Sequence, residues 1–132
     1  MPRDYQTSQP TVIGGRVFVG SMRGQLYSLD AKTGCLHWAF MARAGIRSTP
    51  VVGQLPSVQP PRYVVYLGDA EANVYAVDAS TGKEIWRTDI DTHQTARITG
   101  TLKLHENRLY IPITAAEDVA AADPEYECCT FR

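Results

Sequence analysis

The chain has 132 residues, 44% of them hydrophobic and 20% charged, with a formal net charge of −1 and a pI near 6.3. This balance lacks the basic footprint of a nucleic-acid binder or of a protein held on an anionic membrane. No apolar run approaches the roughly 18 residues of a spanning helix.

The first residues, Met1 to Gln6, contain no apolar secretory core. Two expectations follow: a cytoplasmic protein, or a Met1 lying inside a longer exported one, the latter favoured by the unfinished repeats described below. Residues 9–13 then read as a loose first strand. Residues 16–19 form a second run, ending at Gly20, and a polar turn leads into a third. The runs are short, rich in Val, Tyr and Phe, and bounded by Gly, Asp and Asn, which is a β signature; no window sustains helical spacing. The turn Asp30-Ala31-Lys32-Thr33-Gly34 follows, where Asp and Thr side chains can bond nearby amides and Gly can take positive φ. A strand carrying Trp38 closes the unit.

The same order returns. Residues 24–38, GQLYSLDAKTGCLHW, and 73–86, NVYAVDASTGKEIW, share landmarks at one offset: Asp30 and Asp78, Thr33 and Thr81, Gly34 and Gly82, Trp38 and Trp86 are each 48 apart. Gly20 and Gly68 keep the same spacing. Residues 48–52 supply the first strand of this second copy and 63–67 its second. A period within about 20–50 residues implies units that must stack on one another to bury their faces, and four short antiparallel strands per unit describe a propeller blade. The expected fold is all-β: a partial propeller of two complete blades, residues 8–43 and 44–92, and an incomplete one, 93–132.

In the third unit residues 97–102 read as a first strand and 108–112 as a second, with Pro112 lying 44 residues after Gly68. An Ala- and acid-rich insertion, 113–132, then takes over. Trp38 and Trp86 are expected to wedge between blades, and Asp30 and Asp78 to cap turns rather than act as acids. Cys35 stands where the second copy has Lys83 and reads as an incidental thiol. His37, His93 and His105 show no ligand spacing, and no haem-attachment, P-loop, nucleophile-elbow or zinc pattern occurs.

The two 11-residue patterns ending at Trp38 and Trp86 resemble the tryptophan-docking repeat of propellers related to pyrroloquinoline quinone (PQQ) enzymes. Propellers of this kind include non-enzymatic ones, such as the outer-membrane assembly lipoprotein that binds proteins. Ala96 to Gly100, together with the run from Asp123 through Cys128-Cys129 to Arg132, resembles polyvinyl-alcohol dehydrogenase-type quinoproteins. That resemblance implies PQQ and Ca²⁺ as cofactors, an alcohol or polymeric alcohol as substrate, a cytochrome c as electron acceptor and a periplasmic, eight-bladed full-length parent. It also implies that a segment of this size is inactive by itself, since the general base lies in a later blade. The alternative is a non-enzymatic scaffold, whose exposed blade edges pair with further blades, with other copies or with another chain.

The same resemblance implies the site. Cys128 and Cys129 correspond to a vicinal disulfide packed against the quinone. Adjacent α-carbons are about 3.8 Å apart, below the usual bridged range of about 4.4–6.8 Å, so such a bond is strained and more reducible than a structural one. The other reading of the pair is two free thiols. Residues 109–117 are similar to the strand of methanol dehydrogenase-like enzymes that ends in Ser-Gly-Ala-Glu. This puts Thr114, Ala115 and Ala116 on the quinone and Glu117 on calcium, a hard ion suited to carboxylate oxygen. Ala115 replaces the Gly, and Asp118 offers a second carboxylate; a solvated loop acid is the alternative for Glu117. Arg97 and Thr99 fall at the start of a first strand, nearest the hub, where a guanidinium and a hydroxyl suit cofactor carboxylates and carbonyls. An inter-blade ion pair and a strand hydrogen bond are the alternatives, and Arg47 shares the ambiguity. Arg132 follows the cysteines and is within reach of the same cofactor.

Overall fold

The computed structural model describes residues 4–131. Eight strands form two four-stranded antiparallel sheets, each in sequential order. The first contains β1 (Thr11–Ile13), β2 (Arg16–Gly20), β3 (Gln25–Asp30) and β4 (Leu36–Met41). The second contains β5 (Val51–Gln54), β6 (Tyr63–Gly68), β7 (Asn73–Asp78) and β8 (Glu84–Asp89). The all-β, propeller-like fold read from the repeat is what the chain adopts. The internal symmetry extends to irregularities: the β3–β4 ladder shifts register between Ser28 and Leu29, and the β7–β8 ladder between Ala76 and Val77, 48 positions later.

Local chemistry explains the turns. Gly14 and Gly15 have φ of +58° and +74°, the pair of positive values that a two-residue hairpin requires to match strand twist. Asp30 Oδ1 accepts from the amides of Lys32 and Thr33 at 3.0 and 2.8 Å, and Asp78 Oδ1 from those of Ser80 and Thr81, both at 2.9 Å. Both aspartates cap turns, as expected.

A repeated stitch fastens the start of each complete unit to the end of its own second strand. Ser8 Oγ accepts from Gly20 N at 2.7 Å, and Ser48 Oγ accepts from Gly68 N at 3.0 Å while donating to Gly68 O at 2.7 Å. The following unit then crosses the same glycine. A Cβ on Gly20 would lie 2.3 Å from Ile46 Cγ2, and one on Gly68 2.4 Å from Ile98 Cγ2. Only glycine leaves room for this approach.

Two cores result, one on each side of the second sheet. Phe18, Leu26, Ile46, Val65, Leu67 and Tyr75 fill the space between the first and second sheets. Val74, Ala96, Ile98 and Leu102 fill the other, with Tyr66, Leu109, Ile111 and Phe131 packed against them. Every residue of β7 is buried because its two faces serve different cores. The first strands β1 and β5 approach one another, so the sheets converge on that edge.

The third unit departs from the expected strand positions. Its first strand is β10 (Lys103–His105), paired with β11 (Arg108–Tyr110), rather than residues 97–102. β10 touches β5 as β5 touches β1. Glu106 and Asn107, with φ of +46° and +61°, make its hairpin turn. Residues 96–97 instead form β9 (Ala96–Arg97), which pairs with β12 (Thr114–Ala115). The reason is chemical. Pro112 stands where the earlier units have Gly20 and Gly68, and without an N–H it cannot accept the serine stitch; Gly100 stands where they have Ser8 and Ser48, and a Cβ on it would meet Pro112 at 2.8 Å. A four-residue helix, α1 (Glu117–Ala120), follows. Among the described residues no helix is long and apolar enough to cross a membrane.

Candidate functional site

The β9–β12 ladder contains three of the residues singled out in the sequence, Arg97, Thr114 and Ala115. Arg97 pairs with Thr114 and Ala96 with Ala115. Thr99 Oγ1 lies 3.3 Å from Thr114 Oγ1, and Thr114 Oγ1 also donates to Arg97 O at 3.4 Å. Ala116 N donates to Thr95 O at 3.0 Å, which anchors the start of α1. Residues 17 positions apart in sequence thus share one face, which carries the two threonine hydroxyls, while Ala115 pairs with the buried Ala96 on the other face of the ladder.

Two expectations about Arg97 are corrected. It does not lie on the first strand of a blade, because that strand is β10; nor does Thr99, which follows β9 outside any strand. The ion-pair alternative for Arg97 is not what forms: its Nη1 donates to the carbonyls of Gln94 at 3.0 Å and Ala96 at 2.9 Å. Arg47 is not its counterpart either. Ile46 and Ile98 occupy equivalent positions over Gly20 and Gly68, so Arg97 matches Gly45, where a Cβ would lie 2.6 Å from Met22 O. Arg97 borders a polar cleft of about 450 Å³ that Arg43, Asn73, Asp89, Asp91 and His93 also line.

Glu117 is bonded rather than merely solvated. Its Oε1 accepts from Thr130 N at 2.8 Å, Thr130 Oγ1 at 3.0 Å, Phe131 N at 3.2 Å and Tyr126 OH at 2.9 Å. Desolvation pushes its pKa up, but the hydrogen bonds from Thr130, Tyr126 and Phe131 outweigh it and hold the carboxyl below its ordinary value. Oε2 makes no hydrogen bond among the described residues. No group of three or more His, Cys, Asp or Glu side chains converges on a metal position among the described residues.

Cys128 and Cys129 are exposed free thiols in this structure, so the vicinal disulfide implied by the resemblance is not closed here. Cys129 has φ of +71°, a left-handed conformation that costs a non-glycine residue of order 1–3 kcal/mol. The Cys128 thiol pKa is raised, first by its hydrogen bond with Cys129, then by desolvation and by the neighbouring Cys129 and Glu117 charges. Cys35 is likewise exposed and free. Arg132 lies outside the described residues.

Two groups escaped the sequence reading. His93 has no ligand spacing, yet its ring joins Thr95 to Thr130: Nδ1 lies 2.8 Å from Thr95 Oγ1, and Nε2 2.9 Å from Thr130 Oγ1. Asp69 is fully buried and accepts from the amides of Ala44, Glu71 and Asn73, from Asn73 Nδ2 and from Tyr75 OH. Its counterpart 48 positions earlier is Ser21, so the repeat gave no sign of it; Asp-x-x-x-Asn at a turn was the available hint.

A family model for PQQ-type repeats, described as outer membrane protein assembly factor BamB, matches residues 4–56. The solved structure of BamB from Moraxella catarrhalis superposes with a TM-score of 0.63 at 19% identity, over 84% of this chain and 31% of that one. A quinohemoprotein alcohol dehydrogenase from Comamonas testosteroni superposes with a TM-score of 0.65 at 21% identity, over 86% of this chain and 18% of that one. Together with the sheets, these matches define a PQQ-repeat β-propeller segment.

Sequence similarity narrows the relationship. A polyvinylalcohol dehydrogenase from Pseudomonas sp is 41% identical over 127 residues, 96% of this chain, and that from Sphingopyxis sp. (strain 113P3) is 36% identical over the same share. The chain spans about a fifth of the length of these relatives, 20% and 19% respectively. It is homologous to a segment of the polyvinyl-alcohol dehydrogenases, and more broadly to quinoprotein alcohol dehydrogenases such as ADH-IIG of Pseudomonas putida, at 39% identity over 77 residues.

Proposed function

We propose that the chain forms one sector of a PQQ-dependent alcohol dehydrogenase of the polyvinyl-alcohol type and contributes part of its quinone cradle. The observation carrying this reading is the meeting of Arg97, Thr99 and Thr114 at the β9–β12 ladder, in a chain similar over 96% of its length to a polyvinylalcohol dehydrogenase. The donor set suits the group: a guanidinium and two hydroxyls for carboxylates and carbonyls, followed by Ala115 and Ala116, whose small side chains leave their backbone approachable. When bound, PQQ supplies the two-electron acceptor for an alcohol carbon.

In this proposal Arg97 and the two threonines orient the cofactor, and Cys128-Cys129 cover one of its faces. Glu117 Oε2, the oxygen outside the hydrogen-bond cluster, offers calcium a hard ligand. Arg132 adds a second cation. The general base, the substrate pocket and a cytochrome c acceptor belong to the remaining blades of a periplasmic parent, so the 132-residue chain alone binds without turnover.

The test is a titration of the purified chain with PQQ and Ca²⁺, followed by quinone fluorescence quenching. Saturable quenching that weakens at least fivefold in Arg97→Ala and in the Cys128→Ser, Cys129→Ser double variant is expected. Absence of quenching, or quenching indifferent to all three side chains, leaves the non-enzymatic scaffold as the better reading.

A further inference from the structure

The insertion that carries the cysteine pair has little secondary structure beyond one helical turn, yet its end is held at two points. One is Glu117, whose Oε1 receives Thr130 N, Thr130 Oγ1 and Phe131 N. The other is His93, whose Nε2 meets Thr130 Oγ1 at 2.9 Å and whose ring packs edge-on against Phe131 at 5.5 Å and 84°. His93 is itself fixed from behind. Its own amide donates to Asp91 Oδ1 at 2.8 Å, and Thr95 N donates to its Nδ1 at 3.2 Å.

A backbone amide can only donate, so the Thr95 bond assigns Nδ1 as acceptor and puts the ring proton on Nε2. The hydrogen bonds then run one way: Thr95 N–H to His93 Nδ1, His93 Nε2–H to Thr130 Oγ1, and Thr130 Oγ1–H to Glu117 Oε1. The Thr130 hydroxyl accepts from one anchor and donates to the other, so Thr130 is the link common to both. It follows Cys129 directly, where the backbone is in the left-handed region at φ +71°. Such a conformation persists only where neighbouring bonds over-determine it.

We propose that His93, Thr130 and Glu117 form a clamp that positions the Cys128–Cys129 pair, holding the two thiols together next to the anchored Thr130. His93 and Glu117 are positioning residues: neither touches a sulfur through a hydrogen bond, and each acts through Thr130. The clamp concerns this chain's own side chains and requires no cofactor, so it stands or falls apart from the quinone reading.

The experiment equilibrates the full 132-residue chain with mixtures of oxidised and reduced glutathione and measures the fraction of Cys128–Cys129 disulfide by mass spectrometry. In that reaction the glutathione disulfide bond breaks, one sulfur–sulfur bond forms between the cysteines, and two reduced glutathiones carry away the two electrons and two protons. Because the clamp preorganises the thiols, Thr130→Val and His93→Phe are expected to lower the oxidised-to-reduced ratio at least threefold. His93→Phe keeps an aromatic ring against Phe131 and loses only the hydrogen bonds, while Thr130→Ser restores the hydroxyl and is expected to restore the ratio. Amide exchange supplies a second readout: protection at Thr130 and Phe131 falls in His93→Phe although their acceptor, Glu117, is intact. Cys35 alkylation serves as the internal reference, its rate unchanged throughout. Ratios within a factor of 1.5 of the parent in both Thr130→Val and His93→Phe, with unaltered exchange at Thr130 and Phe131, overturn the clamp.

Discussion

The two complete repeats carry the same tryptophan in different circumstances. Trp38 donates from Nε1 to Ala79 O at 3.1 Å and lies over the next blade's turn, so that a Cβ on Gly82 would sit 2.6 Å from its Cδ2. Trp86 has the same relation to its own sheet, with Tyr66 at 6.0 Å and 42° where Trp38 has Phe18 at 5.9 Å and 42°. It nevertheless remains 39% exposed. The matching turns differ in the same sense: nothing lies within 4 Å of a Cβ built on Gly34. Within-blade geometry is therefore set by each repeat alone, whereas burial of the indole needs the turn of the following blade. The pairing of wedge and turn is the unit of stability, not the repeat itself.

The sharpest way to break that comparison is to truncate each indole. Trp38→Ala is expected to cost about 3–5 kcal/mol, the range for large aromatic truncations in cores, and Trp86→Ala less than about 1.5 kcal/mol. Urea unfolding followed by far-ultraviolet circular dichroism measures both; equal losses would show that the wedge does not depend on its seat.

The seat can be tested from the other side. Gly82→Ala must displace Trp38 as well as accept a positive φ of +75°, so it is expected to cost about 3 kcal/mol, summing overpacking and left-handed strain. Gly34→Ala, at φ +72° in open space, keeps only the strain, about 1–2 kcal/mol. The same urea experiment ranks them, and a Gly34→Ala loss as large as that of Gly82→Ala would remove steric seating as the cause.

A smaller contrast separates the turns at the other end of the strands. Tyr27 OH bonds to Gln25 and to Asp4, which is brought in from the N-terminal segment, whereas Tyr75 OH donates to Asp69 at 2.7 Å and accepts from Arg43 N at 2.9 Å. Burial raises the Tyr75 pKa, with the Asp69 bond adding to it. Asp69→Ala strands these buried donors and is expected to cost about 2–3 kcal/mol, the penalty for unsatisfied buried groups. Ser21→Ala, which removes a single 3.2 Å bond from Gln25 N, costs about 1 kcal/mol. Thermal melts of the two variants provide the comparison.

The least effect is expected from acid. Burial raises the Asp78 pKa, but the bonds from Arg62, Thr81 and Ser80 prevail and hold it low; Asp30 is lowered first by the Thr33 amide. A depressed carboxylate stabilises the fold above its unfolded pKa of about 3.9 and loses that contribution as pH falls through the lower folded value. Asp78→Asn should therefore flatten the pH dependence of stability below about pH 4 more than Asp30→Asn, because Asp78 also loses a 2.7 Å ion pair with Arg62. Titrating the denaturant midpoint from neutral pH downward measures the difference.

How far each region was legible follows from what kind of interaction built it. The strands, the aspartate-capped turns and the role of Trp38 could be read because hydrophobic alternation and turn chemistry are local, and the 48-residue offset displayed them twice. The first strand of the third unit was misplaced because Pro112 and Gly100 exchange the serine stitch for a close contact, a difference visible only once the partner is in place. Arg97, Thr99, Thr114, Ala115, Ala116 and Glu117 were named through family resemblance; the β9–β12 register then paired Arg97 with Thr114. His93 was passed over, since its partners Thr95 and Thr130 are 2 and 37 positions away and follow no motif.

By itself, the sequence determined that this chain makes stacked four-stranded units and where their turns and wedges fall, because periodic side-chain alternation and glycine-dependent turns act over a few neighbouring residues. Only the tertiary structure decided which tryptophan is seated, that residues 96–97 pair with 114–115, and that Glu117 reaches forward to Thr130 rather than into solvent. Those outcomes depend on hydrogen bonds and steric fit between segments distant along the chain, whose partners no local pattern specifies.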